Sequence, residues 1–225
     1  MSTPTVVLEN IHLTLIGGGG PVNILNGINL AVQAGETVAV VGPSGSGKTT
    51  MLMLMAGLER PSSGLVRVAG TDLADLDEDG LATFRRQHLG IVFQAFHLIP
   101  TMTALENAAL PLEFAHDPQS RDKAMAALVS VGLEERARHY PAELSGGEQQ
   151  RVALARAFAS KPAIILADEP TGNLDESTGA KVMELLFTMQ RVHGATLILV
   201  THDLSLARRC GRVVSMHSGR MTERA

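Results

Sequence analysis

Aromatic and thiol side chains are scarce in this sequence. Its 225 residues include no tryptophan, one tyrosine, six phenylalanines and a single cysteine, Cys210. One cysteine excludes an intrachain disulfide framework and a cysteine-based zinc cluster, and it is typical of proteins in a reducing compartment. Hydrophobic residues still make up 45% of the chain, so we expect a core of aliphatic side chains and methionine.

Long apolar runs and blocks of like charge are missing too. No stretch reaches the roughly 18–20 apolar residues that cross a bilayer, and Met1-Ser2-Thr3-Pro4 does not start a secretory signal. The net charge is −4, without a basic cluster that would indicate a nucleic-acid partner. These absences predict a cytoplasmic protein that binds no nucleic acid. The length predicts one domain over residues 1–225.

A glycine-rich loop stands out against this background. Residues Gly42-Pro43-Ser44-Gly45-Ser46-Gly47-Lys48-Thr49 match the P-loop pattern GxxxxGKS/T. Such a loop lets successive N–H groups turn toward a triphosphate, and Lys48 adds a cation for the β- and γ-phosphates. Thr49 offers a hydroxyl to Mg²⁺ in a first helical turn that carries partial positive charge. With Thr50, these residues form the predicted nucleotide site.

The hydrophobic pattern places this loop between a strand and a helix. Residues 36–41 predict a buried parallel strand, and residues 51–58 predict a buried helix. Further strands are predicted at 5–16, 24–32, 65–69, 91–93, 163–169 and 196–201, with a break from Gly17 to Pro21. The first two of these predict an antiparallel sheet beside the nucleotide site. The others alternate with helices, which is typical of a mostly parallel α/β sheet.

Helices dominate the prediction for residues 101–161, and a segment of about 95–161 is predicted to be an inserted helical subdomain. Within it, Met125, Leu128 and Val129 are predicted to share a buried face, and Gly132 to end that helix. A second apolar stripe, ending before Gly194, consists of Val182, Leu185, Leu186, Met189 and Val192.

Two adjacent carboxylates end the predicted strand at 163–169. Asp168 is predicted to hold Mg²⁺ or its waters, and Glu169 to polarise an attacking water. His202 ends the strand at 196–201. Because ligands of open α/β sheets bind beyond the carboxyl ends of the strands, all three residues are candidates for the site.

A second helix start carries the sequence Leu144-Ser145-Gly146-Gly147-Glu148. The serine and glycines leave its N-terminal amides bare, which predicts a second phosphate-binding end on the same chain. One nucleotide cannot use both ends unless the chain wraps around it, whereas two copies arranged head to tail can.

Over essentially the whole chain, these motifs resemble the nucleotide-binding subunit of ATP-binding cassette (ABC) transporters. The matching features are the P-loop at 42–49, Gln94, the signature at 144–148, Asp168-Glu169-Pro170-Thr171, Asn173-Leu174-Asp175 and His202. The sequences of residues 93–107 and 168–175 are similar to those of the MacB/LolD/FtsE branch of this family. The resemblance implies an α/β fold: a P-loop NTPase (RecA-like) core with a mostly parallel sheet, an antiparallel β subdomain and an inserted α-helical subdomain.

The resemblance also implies a role for each motif. Lys48, Glu169 and His202 would be catalytic, with Glu169 as general base and His202 on the γ-phosphate. Thr49, Gln94 and Asp168 would hold Mg²⁺. The residues that would bind ATP are Gly42, Pro43, Ser44, Gly45, Ser46, Gly47, Lys48, Thr49, Thr50, Gln94, Ser145, Gly146, Gly147, Glu148 and Asp175. Of these, Ser145, Gly146 and Gly147 would contact the ATP of a second copy, and Asp175 would bridge the dimer.

Two segments bear on how the chain binds adenine and a protein partner. The family usually stacks adenine on an aromatic residue near the end of the first strand, where this chain has Leu15 or Ile16. We therefore expect weaker or less base-selective binding. After Gln94, the apolar residues Phe96, Leu98 and Ile99 either pack inside the helical segment or form a groove for a cytoplasmic helix of a permease.

The function implied by the resemblance is an ATPase that dimerises head to tail around two Mg-ATP and drives a separate MacB-like permease on the inner face of the cell membrane. A lipid or other hydrophobic compound is the preferred cargo. The alternative is an FtsE-like signalling module, in which the permease controls an extracytoplasmic enzyme, as its extracytoplasmic partner, and nothing is transported. A GTPase is disfavoured because no N-K-x-D motif occurs.

Overall fold

The computed structural model describes residues 3–18 and 20–223 of the chain. Numbered along the chain, the strands are β1 Val6–Gly17, β2 Gly20–Val32, β3 Thr37–Val41, β4 Ser63–Val68, β5 Thr71–Asp72, β6 Leu89–Val92, β7 Ile164–Asp168, β8 Thr196–Thr201, β9 Arg212–His217 and β10 Arg220–Glu223. The helices are α1 Lys48–Met55, α2 Glu78–His88, α3 Ala104–Glu113, α4 Ser120–Ser130, α5 Gly146–Phe158, α6 Glu176–His193 and α7 Leu204–Ala207.

The antiparallel sheet predicted near the N-terminus is confirmed, with strand order β2-β1-β4-β5. The predicted break from Gly17 to Pro21 is too wide, because Ile16 pairs with Pro21 and Gly17 with Gly20. Pro21 fits inside a strand since β2 lies at the edge of this sheet, where a missing N–H is tolerated.

The strand before the glycine-rich loop is central, as its apolar sequence predicts. β3 pairs in parallel with β8 on one side and with β9 on the other, and β10 continues antiparallel to β9. Every residue of β8 is buried, and so are four of the five in β3. Residues buried on both faces of a parallel sheet read as a continuous apolar run.

The described residues divide into two compact units. The first comprises the part up to Arg85 together with the part from Thr196 onward, and the second is Arg86–Ala195. In the second unit, β6 and β7 pair in parallel and α3 packs against α4 and α5. These three helices lie within 95–161, and the assignment of that segment as an inserted subdomain stays a prediction. Among the described residues, no helix is long and apolar enough to cross a membrane.

Two predicted helix faces are wrong at one end. In α6, Val192 is 76% exposed, although most of the predicted stripe is buried. The buried face also includes Met183, Phe187 and Gln190. The Gln190 amide donates a 2.7 Å hydrogen bond to the carbonyl of Ala195, so a polar residue occupies a core position without losing its partner.

The same kind of error occurs in α4. Val129 is 48% exposed, whereas Ala124 and Leu128, four residues apart on one face, are fully buried. Small Ala124 gives little hydrophobic signal, which is why the apolar pattern shifted the predicted face by one residue. Gly132 has a φ of 70° just beyond the helix, where a left-handed conformation favours glycine.

Candidate nucleotide-binding site

The P-loop joins β3 to α1, which confirms the predicted order of strand, loop and helix. Its glycines are required by close packing. A Cβ on Gly42 would lie 2.0 Å from the carbonyl oxygen of Met216. One on Gly47 would lie 2.9 Å from Leu25 Cδ2 and 3.0 Å from the Ile24 carbonyl oxygen. The antiparallel sheet therefore lies directly against the loop, as the sequence predicts.

The loop presents unused hydrogen-bonding groups. Ser46 is 2% exposed, and its Oγ has no hydrogen-bond partner among the residues that the structure describes. Gly47 caps α1 without a side-chain hydrogen bond, and no acidic residue lies in the first turn. A buried hydroxyl without a partner is costly, and a bare helix N-terminus attracts anions. Both features fit the phosphates of a nucleotide.

Lys48 is held at the same loop. It is 8% exposed, and its Nζ donates hydrogen bonds of 2.9 Å to the carbonyl oxygens of Gly42 and Pro43. These two bonds place the ammonium group across the loop, which is where a lysine can meet phosphate oxygens. Thr49, the next residue, is exposed, so its hydroxyl is accessible to a ligand.

His202 leaves the sheet beside the P-loop. Val41 of β3 is in register with Thr201 of β8. Because the two strands are parallel, Gly42 and His202 emerge from neighbouring strands at the same carboxyl edge. The structure thus brings His202 to the edge that carries the P-loop.

Asp168 and Glu169 lie in the second unit, where β7 is buried throughout. Asp168 is 8% exposed and ends the strand. Glu169 is half-buried and has a φ of 45°. A left-handed conformation in a residue other than glycine costs about 1–3 kcal/mol, and such residues cluster at functional sites. The backbone at Glu169 therefore supports a functional role for this carboxylate.

Gln94 emerges from the strand that pairs with β7. Val92 of β6 is in register with Ala167, so Gln94 follows the strand that pairs with the one ending at Asp168. The Gln94 Nε2 donates to Asn173 Oδ1 at 3.1 Å, and Asn173 Nδ2 donates to the Gln94 carbonyl at 3.0 Å. Sequence reasoning missed this partner, for which the only signal was its place in Asn173-Leu174-Asp175.

The donors predicted for Mg²⁺ are a hydroxyl on Thr49, an amide on Gln94 and a carboxylate on Asp168. All three supply oxygen, which Mg²⁺ prefers, and this cation usually takes one or two carboxylates together with substrate phosphates. In residues 3–18 and 20–223, no cluster of three or more His, Cys, Asp or Glu side chains could hold a metal ion. The residues present fit a cation that arrives with a nucleotide.

The signature forms the N-terminus of α5. Ser145 caps this helix, and its side chain and that of Glu148 form a reciprocal capping box. Hydrogen bonds from the Ser145 backbone and hydroxyl, with Arg136 at 3.2 Å, hold the pKa of Glu148 below its usual range. A Cβ on Gly147 would lie 2.4 Å from Thr178 Cγ2. Glycine is needed here because α6 approaches the signature closely.

Asp175 caps a helix as well. Its Oδ1 accepts hydrogen bonds from the Thr178 backbone N–H at 3.0 Å and from the Ser177 hydroxyl at 2.8 Å. Hydrogen bonds from Thr178 and then Ser177 hold the pKa of Asp175 well below its usual range. The structure therefore gives this residue a role at the start of α6, whatever contact it makes with a second copy.

The apolar segment after Gln94 is half-open to solvent. Phe96 and Leu98 are half-buried, and Ile99 is 37% exposed. Phe96 and His97 have φ angles of 58° and 48°. The Arg156 guanidinium donates to their carbonyl oxygens at 2.8 and 2.6 Å. This segment is thus fixed by hydrogen bonds in an unusual backbone conformation.

Comparisons with known proteins agree on one family. The ABC transporter family profile matches residues 25–172. The chain is 51% identical to the ABC transporter ATP-binding protein YbbA of Escherichia coli K12 over 223 residues, covering 97% of this chain and 98% of YbbA. It is 46% identical to the lipoprotein-releasing system ATP-binding protein LolD of Novosphingobium aromaticivorans, covering 97% and 99% of the two chains.

Two further comparisons give the same family, one with a sequence and one with solved structures. The chain is 43% identical to the macrolide export ATP-binding/permease protein MacB of Sodalis glossinidius, covering 98% of this chain and 34% of MacB. The fold superposes on the dimeric structure of the ABC transporter cassette MJ0796 with a TM-score of 0.89, at 42% identity over 98% of this chain and 99% of that one. A second MJ0796 structure, bound to ADP and Pi, matches equally well.

This chain therefore contains the P-loop, the buried acidic strand end and the capped signature helix, and its relatives share both its sequence and its fold. The predicted α/β architecture is confirmed. The chain belongs to the ABC transporter family and is an ATP-binding ATPase cassette.

Proposed function

We propose that two copies of this ATPase dimerise head to tail around two Mg-ATP and drive a separate, MacB-like membrane permease. The observation that carries the proposal is that one chain has two glycine-rich helix N-termini that can present backbone N–H groups to phosphate. One is α1 behind the P-loop, with no acidic residue in its first turn. The other is α5 behind Ser145, where Glu148 lies in the first turn and is held in the capping box. The MJ0796 cassette, which has the same fold, is dimeric in its solved structure.

Each residue contributes a separate part of the proposed reaction. The P-loop amides, the Ser46 hydroxyl and Lys48 bind and orient the phosphates. Thr49, Gln94 and Asp168 would hold Mg²⁺, which would supply positive charge against the phosphate oxygens. Glu169 accepts the proton of the attacking water as general base, and His202 donates a hydrogen bond to the γ-phosphate. Ser145, Gly146 and Gly147 contact the nucleotide of the other copy.

The proposed contact with the permease is Phe96, Leu98 and Ile99. Their exposure, from half-buried to 37% exposed, supports a surface that a partner can cover. The bonds from Arg156 support a segment held ready for docking. Because MacB is named as both ATP-binding and permease protein, a permease of that type is the preferred partner. We accordingly place this chain in the cytoplasm, on the inner face of the membrane.

The preferred cargo is a lipid or another hydrophobic compound. LolD, at 46% identity, is named as part of a lipoprotein-releasing system, which supports a lipid-modified or hydrophobic substrate. The cargo is tested by reconstituting the ATPase and its permease in vesicles and following transfer of a fluorescent lipid. ATP-driven turnover without any transfer would instead favour the signalling alternative.

The subunit proposal is tested by ATPase turnover in lipid nanodiscs, with and without the permease encoded beside this chain. We expect the permease to stimulate turnover, and the exposed-surface variant Ile99→Glu to lose that stimulation. Val129→Glu is the matched control, because Val129 is 48% exposed in the same unit and lies outside the proposed contact. Equal turnover with and without the permease would contradict the proposal.

A further inference from the structure

The side chain of Gln94 lies against the segment that follows Glu169. A Cβ on Gly172 would lie 2.7 Å from the Gln94 Nε2 and 2.8 Å from its Cδ. The Gln94 amide therefore passes over the bare Cα of Gly172. At its tip, Nε2 donates a 3.1 Å hydrogen bond to Oδ1 of Asn173. Glycine supplies the space for this side chain, and Asn173 supplies the partner.

The orientation of the two amides is fixed by a backbone group. The Asn173 Nδ2 donates to the carbonyl oxygen of Gln94 at 3.0 Å. A carbonyl oxygen can only accept, so this bond requires the NH₂ end of Asn173 on that side and leaves Oδ1 toward the Gln94 side chain. Oδ1 can only accept in turn, so Gln94 must present Nε2 to it. The oxygen of the Gln94 amide is then the atom left for a cation.

We propose that Asn173 is a positioning residue that selects the amide oxygen of Gln94 as a ligand for Mg²⁺, and that Gly172 keeps open the space in which this amide lies. The inference rests on the proposed function, in which Gln94 coordinates the cation. If the Gln94 amide were turned the other way, its N–H groups would face the cation, and the amide could not serve as a ligand. Residues that orient a metal ligand typically contribute about 10- to 100-fold in metal affinity.

Two variants disturb this arrangement independently. Asn173→Ala removes both hydrogen bonds and frees the Gln94 amide to turn. Gly172→Ala adds a methyl group where the amide lies, and its clash is with the mobile end of a side chain. The φ of Gly172 is outside the left-handed region, so alanine fits the backbone and only the Gln94 side chain has to move.

The readout is the affinity for a fluorescent ATP analogue, measured in Mg²⁺ and again in EDTA. Without a divalent cation, all variants should bind like the unmodified chain, which also reports an intact P-loop. With Mg²⁺, the gain in affinity should be about tenfold smaller in Asn173→Ala and in Gly172→Ala. Gln94→Ala should lose the same gain, and adding Asn173→Ala to it should change nothing more. Gln119→Ala, an exposed amide in the same unit with no capping bond, should behave like the unmodified chain.

The outcomes test the positioning role of Asn173 and Gly172 separately from the proposed function. If Gln94→Ala weakens Mg²⁺-dependent binding while Asn173→Ala and Gly172→Ala do not, the positioning role is overturned and the proposed function stands. If Gln94→Ala itself has no effect, Gln94 is not a ligand and the inference falls with that assignment. The head-to-tail dimer is then decided separately, by size-exclusion chromatography of Glu169→Gln with ATP.

Discussion

The hydroxyl of Ser145 donates a 2.8 Å hydrogen bond to the carboxylate of Glu148. The same hydroxyl accepts a bond of 3.3 Å from the Glu148 backbone N–H. Its only proton is therefore used within the capping box. To donate to a phosphate of a second copy, the hydroxyl has to turn away from Glu148, so the cap and the proposed intermolecular contact compete for one proton.

The proposed head-to-tail site predicts the effect of Ser145→Arg. A long cationic side chain at this helix start would block the second copy's nucleotide, while the P-loop on the same chain is unchanged. We expect ATP binding to persist and hydrolysis to be abolished, measured by equilibrium binding and by phosphate release. Gln119→Arg adds the same side chain at another exposed position and is the control. Full hydrolysis by Ser145→Arg would exclude the intermolecular site.

The capping box also predicts a dependence of stability on pH. Because its hydrogen bonds lower the pKa of Glu148 in the folded chain, the stabilisation is fully present above the unfolded pKa of about 4.3. It is lost as the pH falls through the lower pKa of the folded state. We expect the unmodified chain to melt higher than Glu148→Gln near pH 7, and this difference to shrink toward pH 3.

The control for that measurement is Glu135→Gln, at an exposed position in the short 3₁₀ turn Glu134–Arg136. Thermal unfolding followed by circular dichroism from pH 7 to pH 3 gives the comparison. A gap between the unmodified chain and Glu148→Gln that stayed constant over this range would mean that the carboxylate charge does not stabilise the helix start.

Glu169→Gln tests the proposed general base. The amide keeps the size of the side chain but cannot accept the proton of the attacking water, so turnover should fall by about 10²–10⁴-fold. ATP binding should persist, and the ATP-bound dimer should accumulate. Glu176→Gln, an exposed change in the first turn of α6, is the matched control. Turnover retained by Glu169→Gln would assign the base elsewhere.

The sequence predicted the backbone elements better than it predicted the side-chain contacts. Runs such as Thr37–Val41 and Thr196–Thr201 gave the buried parallel strands, because burial on both faces requires continuous apolar sequence. The partner of Gln94 could not be read in this way, since Asn173 is 79 residues further along the chain. The buried position of Gln190 was missed because periodicity counts apolar residues, whereas this amide is buried by virtue of its bond to Ala195.

The missing aromatic residue near the end of β1 makes a prediction about base selectivity. Leu15 is 43% exposed and Ile16 is 92% exposed, and neither offers a ring to adenine. We expect the unmodified chain to discriminate weakly between ATP and GTP in competition binding. Because neighbouring side chains of a strand point to opposite faces, only one of Leu15→Tyr and Ile16→Tyr should tighten ATP binding.

The expected gain is at least about fivefold, from the stacking energies measured for single-stranded nucleic acids. The variant that gains nothing serves as the control for the other, since both add the same side chain at the same end of β1. If neither variant tightened ATP binding, the base would not lie at this end of the strand.

Two substitutions of Asp175 separate its role in folding from its proposed role in the dimer. Asp175→Ala removes the acceptor for the Thr178 N–H and should lower the free energy of unfolding. Asp175→Asn keeps an acceptor, and asparagine caps helices as well as aspartate does, so it should unfold like the unmodified chain in urea. If the charge also bridges the dimer, Asp175→Asn should still hydrolyse ATP more slowly. Unfolding and turnover that are both unchanged in Asp175→Asn would confine Asp175 to capping α6.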